Sequence, residues 1–371
     1  MHTREISLPG ATVGGAILPR ASRVTIRDVA FEAGLAVSTV SNALAGKDCV
    51  REETRRKVVD IAVRLGYRPS ALARSLRSGR SLTMGVLVSD VSNPALVDYV
   101  RGVDDVAVRE GFTILLGNTD ERIEKQVAQM KTLIDHEVDG MVLISQHTEG
   151  KEVRELLKIV PYVFIQRRSP HFVDDYVGGD NAASTRKALT YLHELGHRRI
   201  GIITGPTASS TAMERLAAYR ACVDDLGFDR DEDLVVYGDY DLDAGRRGMH
   251  RLWSLPEPPT AILASNDICA LGVQDAALEL GVSIPDQLSL CGCDDISLAG
   301  LRQIDLTTTH MPKRRIGTAA AELLLGKIEQ GPNLPPQEII IPGDLVIRSS
   351  CAAPRAKRRR RRAAAAPVAA E

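Results

Sequence analysis

No apolar run in the 371-residue chain reaches the roughly 18 residues that a membrane-crossing helix needs, so no membrane partner is expected. The one mildly apolar stretch near the start, residues 8–18, is broken by Pro9, Gly10, Gly14 and Gly15, and Arg4 is the only basic residue before it. A secretory signal needs a basic start and an unbroken apolar segment, so a cytoplasmic location is expected. Residues 1–22 read as a disordered extension, or as the product of a start placed too far upstream. Cys-x-x-Cys pairs are missing as well. Cys49, Cys222, Cys269, Cys291, Cys293 and Cys351 are scattered, mostly among apolar neighbours, as free buried thiols of a reducing compartment are. Cys291-Gly-Cys293 puts two thiols on one strand face but brings no further ligand, so neither a metal nor another cofactor is expected.

Net charge is nearly absent too, at −1, but its distribution is uneven. Residues 1–80 carry 14 Lys and Arg against 7 Asp and Glu, and residues 351–371 carry 7 against 1. The middle of the chain is therefore strongly acidic. A basic head on an acidic body suits a protein that holds a polyanion at one end.

What is present begins at Val24. Thr25 is placed to cap a helix whose third position, Asp28, reaches back to the cap and suits the positive end of the helix dipole. Ile26, Val29, Ala30 and Ala33 share one helical face, and Gly34 supplies the left-handed residue that ends the helix. A second short helix, residues 37–45, keeps Val37, Val40 and Leu44 together and turns Ser38, Thr39, Ser41 and Asn42 outward. Two short helices about a glycine turn, the second bearing small polar residues, form a helix-turn-helix whose second helix fits the major groove of double-stranded DNA. A third helix, residues 52–65, closes the core with Val58, Val59, Ile61, Ala62 and Leu65. Its Arg55, Arg56, Lys57 and Arg64 stay outside.

The segments Val24-Thr-Ile-x-Asp-Val-Ala, Ala33-Gly, Ser38-Thr-Val-Ser-Asn, Glu53-Thr-Arg-x-x-Val and Leu65-Gly-Tyr-x-Pro-Ser-Ala-x-Ala-Arg-Ser-Leu76 together resemble the LacI/GalR family of bacterial repressors. The resemblance implies a head over residues 23–68 and, over residues 69–81, a hinge helix that folds when two subunits meet on operator DNA. It implies Thr25, Val37, Ser38, Thr39, Ser41, Asn42 and Tyr67 as DNA contacts in the head, and Ala73, Arg74 and Leu76 in the hinge. Leu76 would be a wedge between bases, and a segment this short forms no stable helix alone. Two positions depart from the family. Ala36 replaces the usual Ser, removing a cap worth about 1 kcal/mol. Asn42 stands where Arg or His is common, and asparagine suits adenine where arginine suits guanine.

From residue 82 on, apolar strand-like runs at 84–88, 113–116, 141–144, 162–165, 200–203, 261–264 and 288–291 alternate with amphipathic helices. That rhythm predicts parallel sheets covered on both faces, with ligands beyond the carboxyl ends of the strands. Asp90 and Asn93, Asn118 and Asp120, Gln166 and Arg167, and Asn266 and Asp267 fall at those ends. The resemblance continues through Ser92-Asn-Pro, Leu195-Gly-His-Arg-x-Ile-Gly, Arg215-x-x-Ala-Tyr, Ser265-Asn-Asp, Gly292-x-Asp-Asp and Leu306-Thr-Thr-Thr-His-Met-Pro. It implies an α/β core like a periplasmic sugar-binding protein over residues 82–350, with three crossings between two lobes. One lobe would take residues 82–181 and 310–334, the other 182–309 and 335–350. By position Arg215 and Asp267 would clamp the effector and Tyr240 would lie against it. With Asp90, Asn93, Asn118, Arg167 and Asn266 they make up the expected effector set. Ala95, Gln166 and Cys293 depart from a typical sugar pocket.

His193-Glu-Leu-Gly-His197 fits the His-Glu-x-x-His pattern of zinc hydrolases. Gly196, though, is expected to end the helix and turn His197 off its face, and no third ligand follows. Residues 351–371 read as a disordered basic tail, in which the unbroken cations 357–362 are either solvated or add nonspecific DNA affinity. The tail has no leucine heptads, so a homodimer is expected rather than a coiled-coil tetramer. The chain thus reads as a non-enzymatic operator-binding regulator, most naturally a repressor, controlled by a sugar-like effector. A solute-binding receptor and a zinc hydrolase are the weaker readings.

Overall fold

The computed structural model describes residues 24–67, 80–331 and 334–354. They fall into two units divided between Ser81 and Leu82. The expectations for residues 1–22, for the hinge around Leu76 and for the basic run 357–362 lie outside the described residues.

The first unit is built on three helices, α1 Ile26–Ala33, α2 Val37–Leu44 and α3 Glu52–Arg64. The Asp28 carboxylate accepts from the Thr25 N–H at 2.7 Å and from its hydroxyl at 2.8 Å, which anchors the start of α1. Gly34 ends it at φ +65°, where a side chain would be strained. Val29, Ala33, Val40, Ala43, Val58, Ile61 and Ala62 close the core. Val59, expected there, is 42% exposed. Each helical residue turns about 100° from the last, so seating Val58, Ile61 and Ala62 inward rotates Val59 out.

The second unit opens with β1 Thr83–Val88, α4 Pro94–Arg109, β2 Thr113–Asn118, α5 Ile123–Asp135, β3 Gly140–Ile144, α6 Lys151–Leu156, β4 Tyr162–Ile165 and β5 Tyr176–Gly179. A second lobe continues with α7 Asn181–Glu194, β6 Ile200–Thr204, α8 Ser210–Leu226, β7 Val235–Tyr237, α9 Leu242–Trp253, β8 Ala261–Ala264, α10 Asp267–Glu279, β9 Ser289–Asp294 and β10 Thr307–His310. The chain then returns to the first lobe with α11 Lys313–Gln330 and β11 Glu338–Ile341, and crosses back for β12 Asp344–Val346. The two six-stranded sheets run β11-β5-β4-β3-β1-β2 and β12-β10-β9-β8-β6-β7. Their pairings are parallel except β10 with β12. Apolar strands buried on both faces, such as Met141–Ile144 within β3, require helices on both sides of each sheet, as expected for a doubly covered α/β fold.

Three crossings link the lobes, as the periplasmic-binding-protein-like reading requires. The third lies elsewhere than expected. Residues 335–341 stay in the first lobe, because β11 pairs with β5 from Glu338↔Tyr176 to Ile341↔Gly179 and Ile341 is buried in that lobe's core. The chain crosses at Pro342-Gly343 instead. No helix among the described residues is long and apolar enough to cross a membrane.

Candidate functional site

In the first unit, α2 turns Val40 and Ala43 into the core and leaves Val37 and Ser38 exposed. Thr39, Ser41 and Asn42 are partly exposed, so a row of short side chains lies on the outer side of a short helix. Their hydroxyl and amide groups are of the kind that can meet base edges, and their short length keeps the outer side of the helix slim. Thr25 is exposed at the amino end of α1, and Tyr67 packs partly against the core. Several cations of α3 are engaged: Arg64 pairs with Glu32 at 2.7 Å, and Arg55 donates to the Lys47 carbonyl at 2.8 Å. Residues 24–67 hold seven basic and six acidic side chains, so most of the basic surplus of residues 1–80 comes from the flanks. The remaining DNA-contact expectations, Ala73, Arg74 and Leu76, lie outside the described residues.

In the second unit, a cavity of about 470 Å³ is lined by residues following β1, β3, β4, β6 and β8 and by the last residue of β9. Both sheets therefore point their carboxyl ends at one space. Asp90, Asn93, Arg167, Arg215, Tyr240 and Asn266 line it, as the strand-end rule and the resemblance expected. Arg215 is buried on α8 and reaches three oxygens: Asn181 Oδ1 at 3.2 Å, the Ser265 carbonyl, and Asp294 Oδ1 at 3.9 Å. Arg167 meets Glu121 through two parallel bonds of 2.8 and 2.9 Å. Tyr240 and Ser209 share a 3.0 Å bond in which either hydroxyl can donate, and burial pushes the Tyr240 hydroxyl above the ordinary tyrosine range, so it stays neutral.

Two expected residues do not reach the cavity lining. Asn118 turns aside to accept from the Val91 N–H at 3.1 Å and donate to Asp120 at 2.5 Å. Asp267 is fully buried behind the lining. Its two oxygens accept from Thr308 Oγ1 at 2.5 Å and from the Ile296 N–H at 2.8 Å, tying α10 to β10 and to the turn after β9. Its carboxyl is raised to about 7, first by burial and then by the neighbouring Asp294 charge. Asn93 and Asn266 line the cavity but spend their side-chain oxygens on capping α4 and α10, at 3.0 and 2.8 Å.

The carboxylate that faces Arg215 is Asp294, which strand position alone did not single out. Burial raises its carboxyl above the ordinary range, while Arg215 and then Lys313 pull it down. Its φ of +110° breaks the strand alternation that would otherwise fix its direction. Glu121, also at positive φ, enters the lining from the loop after β2. Tyr99 adds a buried aromatic wall from α4 and receives a hydrogen bond from the Gln166 amide. The cavity thus presents paired charges, neutral hydroxyls and aromatic faces around one enclosed space.

His193-Glu-Leu-Gly-His197 is a helix-to-strand joint here. Gly196 sits at φ +100°, a conformation that side chains rarely adopt, and the two imidazoles part company. The His193 ring packs beside Phe228, while His197 is buried with Nδ1 bonded to Thr260 Oγ1 at 2.8 Å and Nε2 to Ser289 Oγ at 2.9 Å. Both His197 nitrogens are thereby engaged by neighbouring hydroxyls.

Two family models match the chain: "Bacterial regulatory proteins, lacI family" at residues 25–70, and "Periplasmic binding protein-like domain" at residues 189–351. The HTH-type transcriptional repressor CytR of Escherichia coli (strain K12) is 31% identical over 330 residues, covering 89% of this chain and 96% of the repressor. Among solved structures, a transcriptional regulator CelR–cellobiose complex is 30% identical with a TM-score of 0.67, covering 88% of this chain and all of that one. The lac repressor dimer bound to operator and the anti-inducer ONPF superposes with a TM-score of 0.80 at 25% identity, covering 89% of this chain and all of that one.

Proposed function

The chain belongs to the LacI family of bacterial regulatory proteins, and on that premise we propose that it represses transcription as a homodimer released or recruited by a sugar-like effector. The observation that carries the effector half is the cavity where both sheets end, with Arg215 facing Asp294 and Arg167 fixed by Glu121. An arginine fork holds paired acceptors in fixed geometry, and carboxylates accept from hydroxyls, which together suit a polyhydroxyl ligand. Closing on such a ligand changes the relation of the lobes, and so the affinity of a dimer for DNA, by as much as the ligand discriminates between open and closed forms.

The DNA half rests on α2. Val37, Ser38, Thr39, Ser41 and Asn42 are proposed to read base edges, Thr25 and Tyr67 to hold the backbone, and Ala73, Arg74 and Leu76 to enter the minor groove. The likeness to a repressor solved with operator and to a regulator solved with cellobiose supports both halves. The test is titration of the purified protein on its own upstream intergenic DNA, with and without a panel of sugars. Specific binding that one sugar weakens or strengthens at least tenfold is expected. Failure of every sugar to alter either DNA affinity or melting temperature would remove the effector half.

A further inference from the structure

The charges that line the cavity are unequal. Asp90, Glu121, Asp239, Asp241 and Asp294 stand there against Arg167 and Arg215, five acids to two arginines. Both arginines, moreover, already have their charge answered from within the protein. Arg167 gives an N–H from each terminal nitrogen to the two Glu121 oxygens, which closes its fork. Arg215 sends Nε to Asn181 and Nη1 to the Ser265 carbonyl, and faces Asp294 with Nη2. N–H groups remain on it for hydroxyl oxygens, but no cation in the lining is left without a counter-charge. His147 adds none of that kind, since its Nε2 is turned to the Glu121 carbonyl at 2.9 Å.

What the lining leaves unmet is acceptors. Gln166 is 7% exposed and its Nε2 donates to the Tyr99 hydroxyl, while its Oε1 has no partner among the described residues. Besides the distant Arg215, the Asp294 carboxylate receives only the weak Cys293 thiol, at 3.9 Å. Tyr99, accepting from Gln166, keeps its own hydroxyl hydrogen to give away. A donor and an acceptor therefore stand side by side where Tyr99 meets Gln166. A hydroxyl group, which both gives and takes a hydrogen bond, completes the two together. A carboxylate or a phosphate dianion only accepts. It would leave Gln166 Oε1 and Asp294 buried and unpaired, and it would enter a space already rich in like charge. A site built to bond a hydroxyl discriminates strongly against an analogue that cannot supply it.

We propose that the effector is an uncharged polyol read by the Tyr99–Gln166 pair and Asp294, and that the cavity rejects the same molecule once it carries a carboxylate or a phosphate. This rests on the reading of a sugar-like effector and narrows it. The test is a thermal-shift screen of the full-length protein, followed by calorimetric titration near neutral pH. The probes are glucose, galactose, mannose and cellobiose, each beside its uronate, and ribose beside ribose 5-phosphate. A uronate carries a carboxylate in place of one hydroxymethyl group, so size does not separate the pair. At least one neutral sugar is expected to bind, with its anionic counterpart at least tenfold weaker. Gln166→Met should weaken the neutral sugar about tenfold, because its hydroxyl loses the Oε1 acceptor. Glu121→Gln removes one acid and uncovers the Arg167 charge, so it should narrow the gap between sugar and anion. A merely structural disturbance of the cavity would weaken both alike. An anion that binds the wild type as tightly as its parent sugar overturns the proposal and leaves a sugar-type effector standing. A gap that Glu121→Gln leaves unaltered overturns it as well, and so does an unchanged affinity in Gln166→Met. Binding by no member of the panel counts against the sugar-effector reading itself and takes the proposal down with it.

Discussion

Arg168, on the loop after β4, donates from Nε to Glu214 of α8 at 2.8 Å and so fastens the first lobe to the second beside the cavity. The same junction holds the Arg168 N–H on Ser210 Oγ at 3.0 Å and the Thr211 hydroxyl on the Gln166 carbonyl at 2.6 Å. Glu214 is steadied in turn by the Asn181 amide at 2.8 Å. The bonds from Arg168 to Glu214 and Ser210 and from Thr211 to Gln166 all run between the lobes, so any opening at this junction has to break them.

Removing that pair should loosen the lobes modestly. The Arg168 side chain is 42% exposed, and water screens such pairs to below about 1 kcal/mol. A double-mutant cycle of Arg168→Ala and Glu214→Gln in urea unfolding should give a coupling of about 0.5 kcal/mol. Hydrogen exchange should quicken at the Arg168 amide in either single variant. No coupling together with unchanged exchange would show that the junction is carried by Thr211 and Ser210 instead.

Arg215→Ala should do more harm, because it strands partners inside the protein. Asp294 would lose its nearest cation on α8, and the Ser265 carbonyl and Asn181 oxygen would each lose a donor. Losing a charged hydrogen bond to a ligand costs about 1.5–3 kcal/mol, so affinity for whichever sugar shifts the melting temperature should fall ten- to a hundredfold. Operator affinity without the sugar should hold within a fewfold. Arg215→Lys should recover little, since an ammonium cannot span paired acceptors. Calorimetric titration of the three proteins checks this, and an unchanged affinity in Arg215→Ala would move the site elsewhere.

The parts of the fold that were legible beforehand are those fixed by neighbours in sequence. Thr25, Asp28 and Gly34 announce the first helix because caps and left-handed stops are local chemistry. The cavity's place was legible because parallel sheets put ligands at strand ends, which located Asp90, Asn93, Arg167 and Asn266. The direction of a side chain at such an end was not. Asp267 starts α10 and swings back to Thr308 and Ile296, whereas Asp294 is swung into the cavity by a positive φ that no strand pattern forecasts. The third crossing was misplaced for a similar reason. Short edge strands such as β11 owe their existence to a partner more than 150 residues away in sequence, not to their own periodicity.

Ala36→Ser should stabilise the first unit. Ala36 occupies the N-cap of α2 in extended geometry, φ −64° and ψ 145°, and offers no side-chain acceptor to the first-turn N–H groups. A serine there gains about 0.5–1 kcal/mol from one new hydrogen bond. The thermal transition of the helical head in the full-length protein should rise by a few degrees, followed by circular dichroism. A drop would mean that the added hydroxyl meets DNA-free crowding at the start of α2 that the backbone angles do not reveal.

Asp267 makes the core's stability depend on pH in an unusual direction. Burial, then the Asp294 charge, raise its carboxyl from 3.8 to about 7, against the opposing pull of the Thr308 and Ile296 bonds. The folded state therefore holds a proton that the unfolded chain gives up near pH 4. A raised folded value means stability that is fully present below the unfolded value and is lost as pH rises through the folded one. Between about pH 4 and 7 this residue should cost up to about 1.4 kcal/mol for each unit of rise. Asp267→Asn keeps an acceptor for Thr308 but leaves the Ile296 N–H without one, so it should be less stable than wild type in acid. It carries no proton linkage, however, and the wild type's advantage should shrink steadily as pH climbs toward 7. Urea unfolding of both proteins across that range measures the difference directly. An advantage that stays constant or widens would mean that Asp267 is ionised throughout and that Thr308 and Ile296, not burial, set its state.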